Sequence, residues 1–443
     1  MSAILHRNLI LPPTLAVRGE GIYLIDGAGR RYIDASGGAA VSCLGHSNPR
    51  VVEAITRQAE SMPYAHTSFF TSEPAEALAE HLIARAPEGF GLGRVAFVAS
   101  GSEAMEVALK LARQVAVERG EPQRSHLIAR RMSYHGNTLG ALSVGGHMAR
   151  RALYAPLLLP VSHIDPCHAY REKREDETIE EYGLRAADQL EVEILRVGPD
   201  SVLAFVAEPV SGATLGCVPP APGYFARIRE ICDRHGVIFI ADEVMCGIGR
   251  TGSMFAIAQE GVCPDIVTIA KGLGAGYQPI AAVLARESMV EALKDGTGML
   301  SNGHTYMGHP VACAAALAVL ETIHDDDLLA AVQARGAELR DLLELRFGQH
   351  PNVGDIRGRG LFLALEFVAD RSGSTPFLRS LRIAERLKLA LQDAGMIAYP
   401  SSGAADGVAG DHLLLAPPYI VSSKEILEIV DITERVLADI LPA

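Results

Sequence analysis

Lys271 ends an apolar run, Asp265-Ile-Val-Thr-Ile-Ala270, and opens a glycine-rich turn, Gly272-Leu-Gly-Ala-Gly276. Upstream, a second apolar run, Val237-Ile-Phe-Ile-Ala241, ends in Asp242 and Glu243. An amine at one strand end and a carboxylate at another suit a lysine held as a Schiff base on a pyridine cofactor. Such a ring draws electrons only while its nitrogen stays protonated, and a buried carboxylate beside it enforces that. The chain has only six lysines, so elimination is informative. Lys110 sits mid-helix four residues after Glu106, the spacing of a surface pair. Lys173 lies in a charged segment, Lys294 and Lys388 ride amphipathic helices, and Lys424 opens the last helix. Only Lys271 follows a buried strand into a flexible turn, where desolvation depresses an amine's pKa and makes it nucleophilic. A lysine merely capping a sheet edge is the plainer alternative.

Other segments offer chemistry of the same kind. Ser100-Gly-Ser-Glu103 lies between a strand and a helix. There Gly101 permits close backbone approach, Ser102 offers a hydroxyl, and the free amides of the first helical turn form an anion site suited to phosphate. A plain N-cap is the competing reading, since Ser102-x-x-Met105 falls short of a capping box. Tyr134-His135-Gly136 offers flat rings to stack on a cofactor, or else a structural turn. Glu208, before Pro209, could hold a cofactor hydroxyl or orient a substrate cation, or be a loop carboxylate. The loop 272–276 superficially suits a dinucleotide, but Pro279 interrupts any helix and an apolar run follows instead. No Walker sequence or metal-ligand cluster is visible. His304 and His309, five apart across a glycine-containing loop, are poor zinc ligands.

These residues need elements to position them. Apolar runs at 95–98, 126–129, 202–206, 237–241, 266–270 and 280–284 alternate with helical patterns, among them 102–119 and 223–235. That alternation predicts an α/β fold with a three-layer, mostly parallel sheet, whose ligands gather at the carboxyl ends of the strands. Ser100, Glu208, Asp242 and Lys271 all fall there. Residues 21–34 read as a hairpin, and a helix starts at Glu73 with Pro74 in its first turn. After a buried helix at 310–324 the pattern changes to amphipathic helices at 335–347 and 383–392, a strand at 361–367 and a closing helix at 426–441. The expected organisation is an N-terminal segment (1–60) belonging to a small domain, a large cofactor-binding domain (61–325) and a C-terminal small α+β domain (326–443).

Composition excludes several classes. A formal net charge of −13 argues against nucleic acid. The mixed-sign run 171–177 reads as a solvated face or loop. Seven cysteines without a C-x-x-C pair read as buried free thiols in a reduced, cytoplasmic protein. No signal peptide is visible, and the longest apolar stretch, 311–320, is too short to cross a membrane.

With these residues assembled, the chain resembles the class III (ω-) aminotransferases, fold-type I pyridoxal-phosphate enzymes. The matching segments are Ser100-Gly-Ser-Glu-Ala104, Ser133-Tyr-His-Gly136, Ala207-Glu-Pro-Val210, Ile240-Ala-Asp-Glu-Val244, Gly249-Arg-Thr-Gly252, Ala270-Lys-Gly272 and His304-Thr-Tyr-Met-Gly-His-Pro310. They run in the family's order, and the likeness extends from near Gly19 to the C-terminal helix. The resemblance implies an aspartate aminotransferase-like fold, pyridoxal 5'-phosphate as cofactor and ping-pong transfer through a Lys271 aldimine. An ω-amine or ω-amino acid would be the donor and a 2-oxo acid such as pyruvate the acceptor. By the same resemblance Asp242 would hold the pyridine nitrogen, Val244 and Tyr134 would sandwich the ring, and Gly101 and Ser102 would bind phosphate. His135 and Glu208 would lie close to the cofactor. Thr305 would reach the phosphate of the neighbouring subunit, making the working unit a homodimer with shared sites, which could pair further into tetramers.

Two departures stand out. Amine:pyruvate members often carry a tryptophan in the N-terminal glycine-rich segment; here Gly37-Gly-Ala-Ala-Val41 is small throughout and the chain has no tryptophan. That suggests room for a bulky or long amine. A mobile arginine that captures the acceptor carboxylate often precedes the C-terminal Gly-Asp-His; here Asp406-Gly-Val-Ala-Gly-Asp-His412 has none. Rival readings are an aminomutase on the same scaffold, a nicotinamide-dependent dehydrogenase resting on the loop 272–276, and a non-catalytic binding protein. An intact Lys271 and Asp242 argue against the last.

Overall fold

In the computed structural model, which describes residues 2–441, the short β-branched and aromatic runs become the strands of one seven-stranded sheet. Its order is Arg94–Val98, Ala281–Ala285, Ile266–Ile269, Ile238–Asp242, Val202–Ala207, His126–Arg130 and Val161–Ile164. All neighbouring pairs are parallel except those made by Ala281–Ala285, which runs antiparallel to both its neighbours. The reason is local. Residues 270–280 form a tight turn containing Lys271–Leu273 as a single 3-10 turn. A parallel return would need a crossover helix for which there is no chain.

Side chains alternate across this sheet and both faces are buried. Phe205, Phe239, Val267 and Ile269 share one core with the helices Ile179–Val197, Tyr224–His235 and Pro310–Asp325. Val206, Ile238, Ile240, Ile266 and Val283 face the opposite core with Gly101–Glu118 and Glu287–Asp295. Helices therefore cover both faces, which is the three-layer α/β arrangement the alternation predicts.

A second sheet, antiparallel, runs Val353–Arg359, Phe362–Asp370, Asp411–Leu415 and Tyr399–Ser401. The helices Leu328–Phe347, Ile383–Asp393 and Ser423–Ile440 accompany it. The N-terminal strands Ala16–Glu20, Tyr23–Asp26 and Arg31–Asp34 form a third sheet, completed by Met396–Ile397 in parallel with the last of them. The two ends of the chain thus pair directly.

Several elements differ from expectation. The helix Leu328–Phe347 begins well before 335. The strand Val161–Ile164 and the helix Ile179–Val197 have no counterpart in the sequence reading. That helix carries a readable start signal, a capping box in which Thr178 and Glu181 satisfy each other's backbone N–H. The segment 171–177 is not wholly a solvated face either. Arg171 pairs with Glu366, a carboxylate at full burial that Arg357 also engages at 2.5 Å. Charge of one sign in a mixed run is spent across the fold, on the sheet of residues 353–415, where no local pattern records it. Among the described residues no helix is long and apolar enough to cross a membrane.

Candidate active site

Parallel strands bring their carboxyl ends to one edge, so four separate segments converge there. Val98 leads into Ser100 and the helix Gly101–Glu118, Arg130 into Tyr134 and His135, Ile240 into Asp242, and Ile269 into Lys271. Between them lies a cavity of about 470 Å³. Gly101, Ser102, Tyr134, His135, Asp242, Val244 and Lys271 all line it, with Val41 and Gln278–Ile280 closing other sides.

Asp242 is buried and its two oxygens have separate partners. His135 Nδ1 lies 2.7 Å from Oδ2, and the Val244 N–H donates to Oδ1 at 3.0 Å. A carboxylate only accepts, so Nδ1 carries the proton and His135 acts as a donor. Its Nε2 is buried without a partner among the described residues. The carboxylate is therefore held in one orientation at the cavity wall.

Lys271 has a left-handed backbone, φ 46°, a conformation costly for a side chain with a Cβ and typical of functional positions. The residue borders the open cavity, yet protein surrounds its amine closely enough that desolvation pushes its pKa down to about 8. Asp242 and Glu208 oppose that shift and Arg150 adds to it. The amine is thus available as a nucleophile near neutral pH.

The phosphate-type segment is capped two residues before the expected residue. Ser100, not Ser102, is the N-cap: its Oγ accepts the Glu103 N–H, while the Glu103 carboxylate accepts the Ala99 N–H at 2.7 Å. Ser102 Oγ instead accepts the Asn137 N–H at 2.9 Å, leaving its own proton to donate. Gly101 has a steric reason to be glycine, since a Cβ there would lie 2.9 Å from Val244 Cγ1. Gly136, at φ 137°, would clash in the same way with Ser102 Oγ.

Two predicted residues lie off the cavity wall. Glu208 sits behind Tyr134, accepting its N–H at 3.3 Å and facing Arg130 at 3.6 Å, with burial raising its pKa. Thr305 is on an exposed loop, its carbonyl accepting the Tyr64 hydroxyl at 2.9 Å. Asp242's sequence neighbour Glu243 points into the protein. It accepts the N–H groups of Ala256 and Ile257, and burial lifts its pKa to about 7. Arg250, in the Gly249-Arg-Thr-Gly252 segment, is fully buried and donates to the carbonyls of Leu361 and Pro417, tying distant segments together. The sequence reading had no signal for Arg150, whose guanidinium lies over the Tyr134 ring at 4.5 Å.

A family model described as aminotransferase class-III matches residues 6–437. The chain belongs to that family. This aminotransferase is 47% identical over 433 residues to an uncharacterized aminotransferase of Schizosaccharomyces pombe, spanning 98% of this chain and 94% of that one. It is 37% identical over 438 residues to a diaminobutyrate–2-oxoglutarate transaminase of Halomonas elongata, spanning 98% and 92%. The ω-transaminase of Pseudomonas jessenii, solved in complex with PMP, superposes with a TM-score of 0.89 at 36% identity, covering 96% of this chain and 92% of that one. The fold is accordingly that of the fold-type I transaminases. The dehydrogenase reading of the loop 272–276 falls with it, because the loop leads to an antiparallel strand and opens no helix.

Proposed function

We propose that this aminotransferase uses pyridoxal 5'-phosphate in the Lys271 cavity to move an amino group from an ω-amine or ω-amino acid to a 2-oxo acid such as pyruvate, in ping-pong order. One observation carries the reading. A lysine amine depressed to about pH 8 and a carboxylate fixed by His135 line the same cavity. The residues fit the cofactor: an anion-binding helix start at Gly101 and Ser102, a carboxylate for a ring nitrogen, and the flat Tyr134 ring and Val244 as walls.

Bound there, the cofactor supplies an electron sink for the bond breaking at the substrate's amine-bearing carbon. Asp242 would keep the ring nitrogen protonated, and its hydrogen bonds to His135 and the Val244 N–H stop it turning away. Gly101 and Ser102 take the phosphate at the positive end of the Gly101–Glu118 helix. Lys271 would anchor the cofactor and would take and return the proton at the substrate's reacting carbon. Glu208 fixes the Tyr134 backbone and so the wall that the substrate meets.

The working unit in this reading is a symmetric homodimer in which the partner's Thr305 completes the phosphate site. Exposure of Thr305, away from its own cavity, supports it, as do the exposed Phe69, Phe70 and Tyr306. Seven unpaired cysteines, six of them buried, fit a reducing compartment such as the cytoplasm. Of the small segment 37–41 only Val41 borders the cavity, which favours a bulky or long amine. A donor panel in which only short donors such as β-alanine react would refute that preference.

The test is an absorption spectrum of the purified protein titrated with donor amines and no acceptor. A cofactor band that changes with donor and returns with pyruvate or 2-oxoglutarate establishes transfer and ranks both substrates. A band that no donor moves points to the aminomutase. No band, even after pyridoxal phosphate is added, overturns the reading.

A further inference from the structure

A 2-oxo acid brings a carboxylate that must find a partner as it leaves water. Residues 403–410, which precede Asp411 and His412, contain no cation. Most arginines around the cavity are already engaged. Arg130 donates to the Glu208 carbonyl and to Ser211 Oγ, and Arg151 to the carbonyls of Leu142 and Gly145. Arg250 holds two backbone carbonyls, and Arg357 pairs with Glu366 and Asp355.

Arg150 differs. Among the described residues it has no hydrogen-bond or ion-pair partner, and its guanidinium carbon sits 4.5 Å from the centre of the Tyr134 ring on the cavity wall. Stacking on a ring fixes the guanidinium plane while leaving its N–H edge free for a bidentate acceptor. Arg150 is half-buried on the short helix Met148–Ala152. That helix abuts the cation-free loop: a Cβ on Gly407 would lie 3.2 Å from Met148 Cγ. The arginine thus stands where the Tyr134 wall meets the loop, near enough to Lys271 to act on its charge.

The geometry points to Arg150 as the residue that receives the carboxylate of the acceptor 2-oxo acid, an assignment that rests on the transfer reaction proposed above. It is a specificity-determining residue, stacked on Tyr134, whose ring lines the cavity. It replaces in function an arginine that the loop 403–410 does not supply.

The experiment compares kcat/KM for pyruvate and for acetaldehyde, the same acceptor without the carboxylate, using one donor amine and the holoenzyme. Wild type, Arg150→Gln and Arg150→Lys are measured, with cofactor absorbance confirming equal loading. Loss of a charge-assisted pair should lower the pyruvate-to-acetaldehyde ratio about ten- to hundred-fold in Arg150→Gln. Arg150→Lys should recover part of it. An unchanged ratio overturns the assignment. So does an equal fall for both acceptors, which would show that Arg150 only supports Tyr134. If wild-type enzyme transfers to neither acceptor, the transfer reaction fails rather than the arginine.

Discussion

Lys271 combines a strained backbone with a desolvated amine, and both features are tied to its place at a strand end. Lys271→Ala should keep the fold by circular dichroism and lower turnover on the order of a thousand-fold or more, since in the proposed reaction one side chain both anchors the cofactor and moves the proton. Retained turnover would remove it from the mechanism. Its pKa also makes a stability prediction for the cofactor-free protein. Folding lowers this pKa from its ordinary value of 10.5 to about 8, so the charged amine penalises the folded state fully below pH 8. As pH rises from 8 to 10.5 the unfolded chain binds more protons, and stability gains. Melting temperatures across that range should therefore rise for wild type relative to Lys271→Met, and a parallel pair of curves would contradict the assignment. Asp242→Asn keeps the shape but removes the charge that, in the proposed site, would face the ring nitrogen. It should cost on the order of a hundred-fold in kcat, with the cofactor still bound by absorbance.

At the scale of elements, the close approach of the Gly101–Glu118 helix to Val244 is what shapes the cavity. Gly101→Ala should weaken cofactor retention about ten-fold in equilibrium dialysis, because a 2.9 Å contact forces the helix start away. Val244→Ala in the same chain should restore part of it. Glu243 serves the turn beyond the strand Ile238–Asp242. Glu243→Ala strands the buried N–H groups of Ala256 and Ile257, which costs about 2–4 kcal/mol and should appear as a Tm lowered by several degrees without loss of cofactor binding. The strand ends were legible because apolar runs stop abruptly at polar residues, a one-dimensional signal. The helix cap was misplaced by two residues although Ser100-x-x-Glu103 has the capping-box spacing that Ser102-x-x-Met105 lacks; the backbone of Ser100 is extended and its Oγ accepts the Glu103 N–H. The helix Ile179–Val197 escaped because its apolar face follows a charged run, although Thr178 and Glu181 announced it.

At the scale of the molecule, a dimer with shared sites predicts complementation. Mixing Lys271→Ala chains with Thr305→Asp chains should yield hybrids with one intact site, pairing Lys271 of one subunit with the partner's Thr305. Activity should return after subunit exchange, to about half the wild-type value per hybrid dimer. No recovery, with exchange shown by mass, would place the whole site in one chain.

By itself the sequence determined the alternation of strands and helices, and with it the sheet edge where Ser100, Asp242 and Lys271 gather. Hydrophobic periodicity, glycine turns and strand ends are local properties, readable from neighbours in the chain. It also singled out Lys271 among the six lysines, since a buried strand next to a glycine-rich turn is itself a local pattern. The tertiary structure alone decided the rest. It turned His135 toward Asp242, withdrew Glu208 behind Tyr134, sent Arg171 to the buried Glu366, and left the Arg150 guanidinium over the Tyr134 ring without an ion-pair partner among the described residues. The first three of those contacts join residues 74 or more apart in sequence. Which charges meet across the fold depends on packing in three dimensions, and no spacing along the chain encodes it.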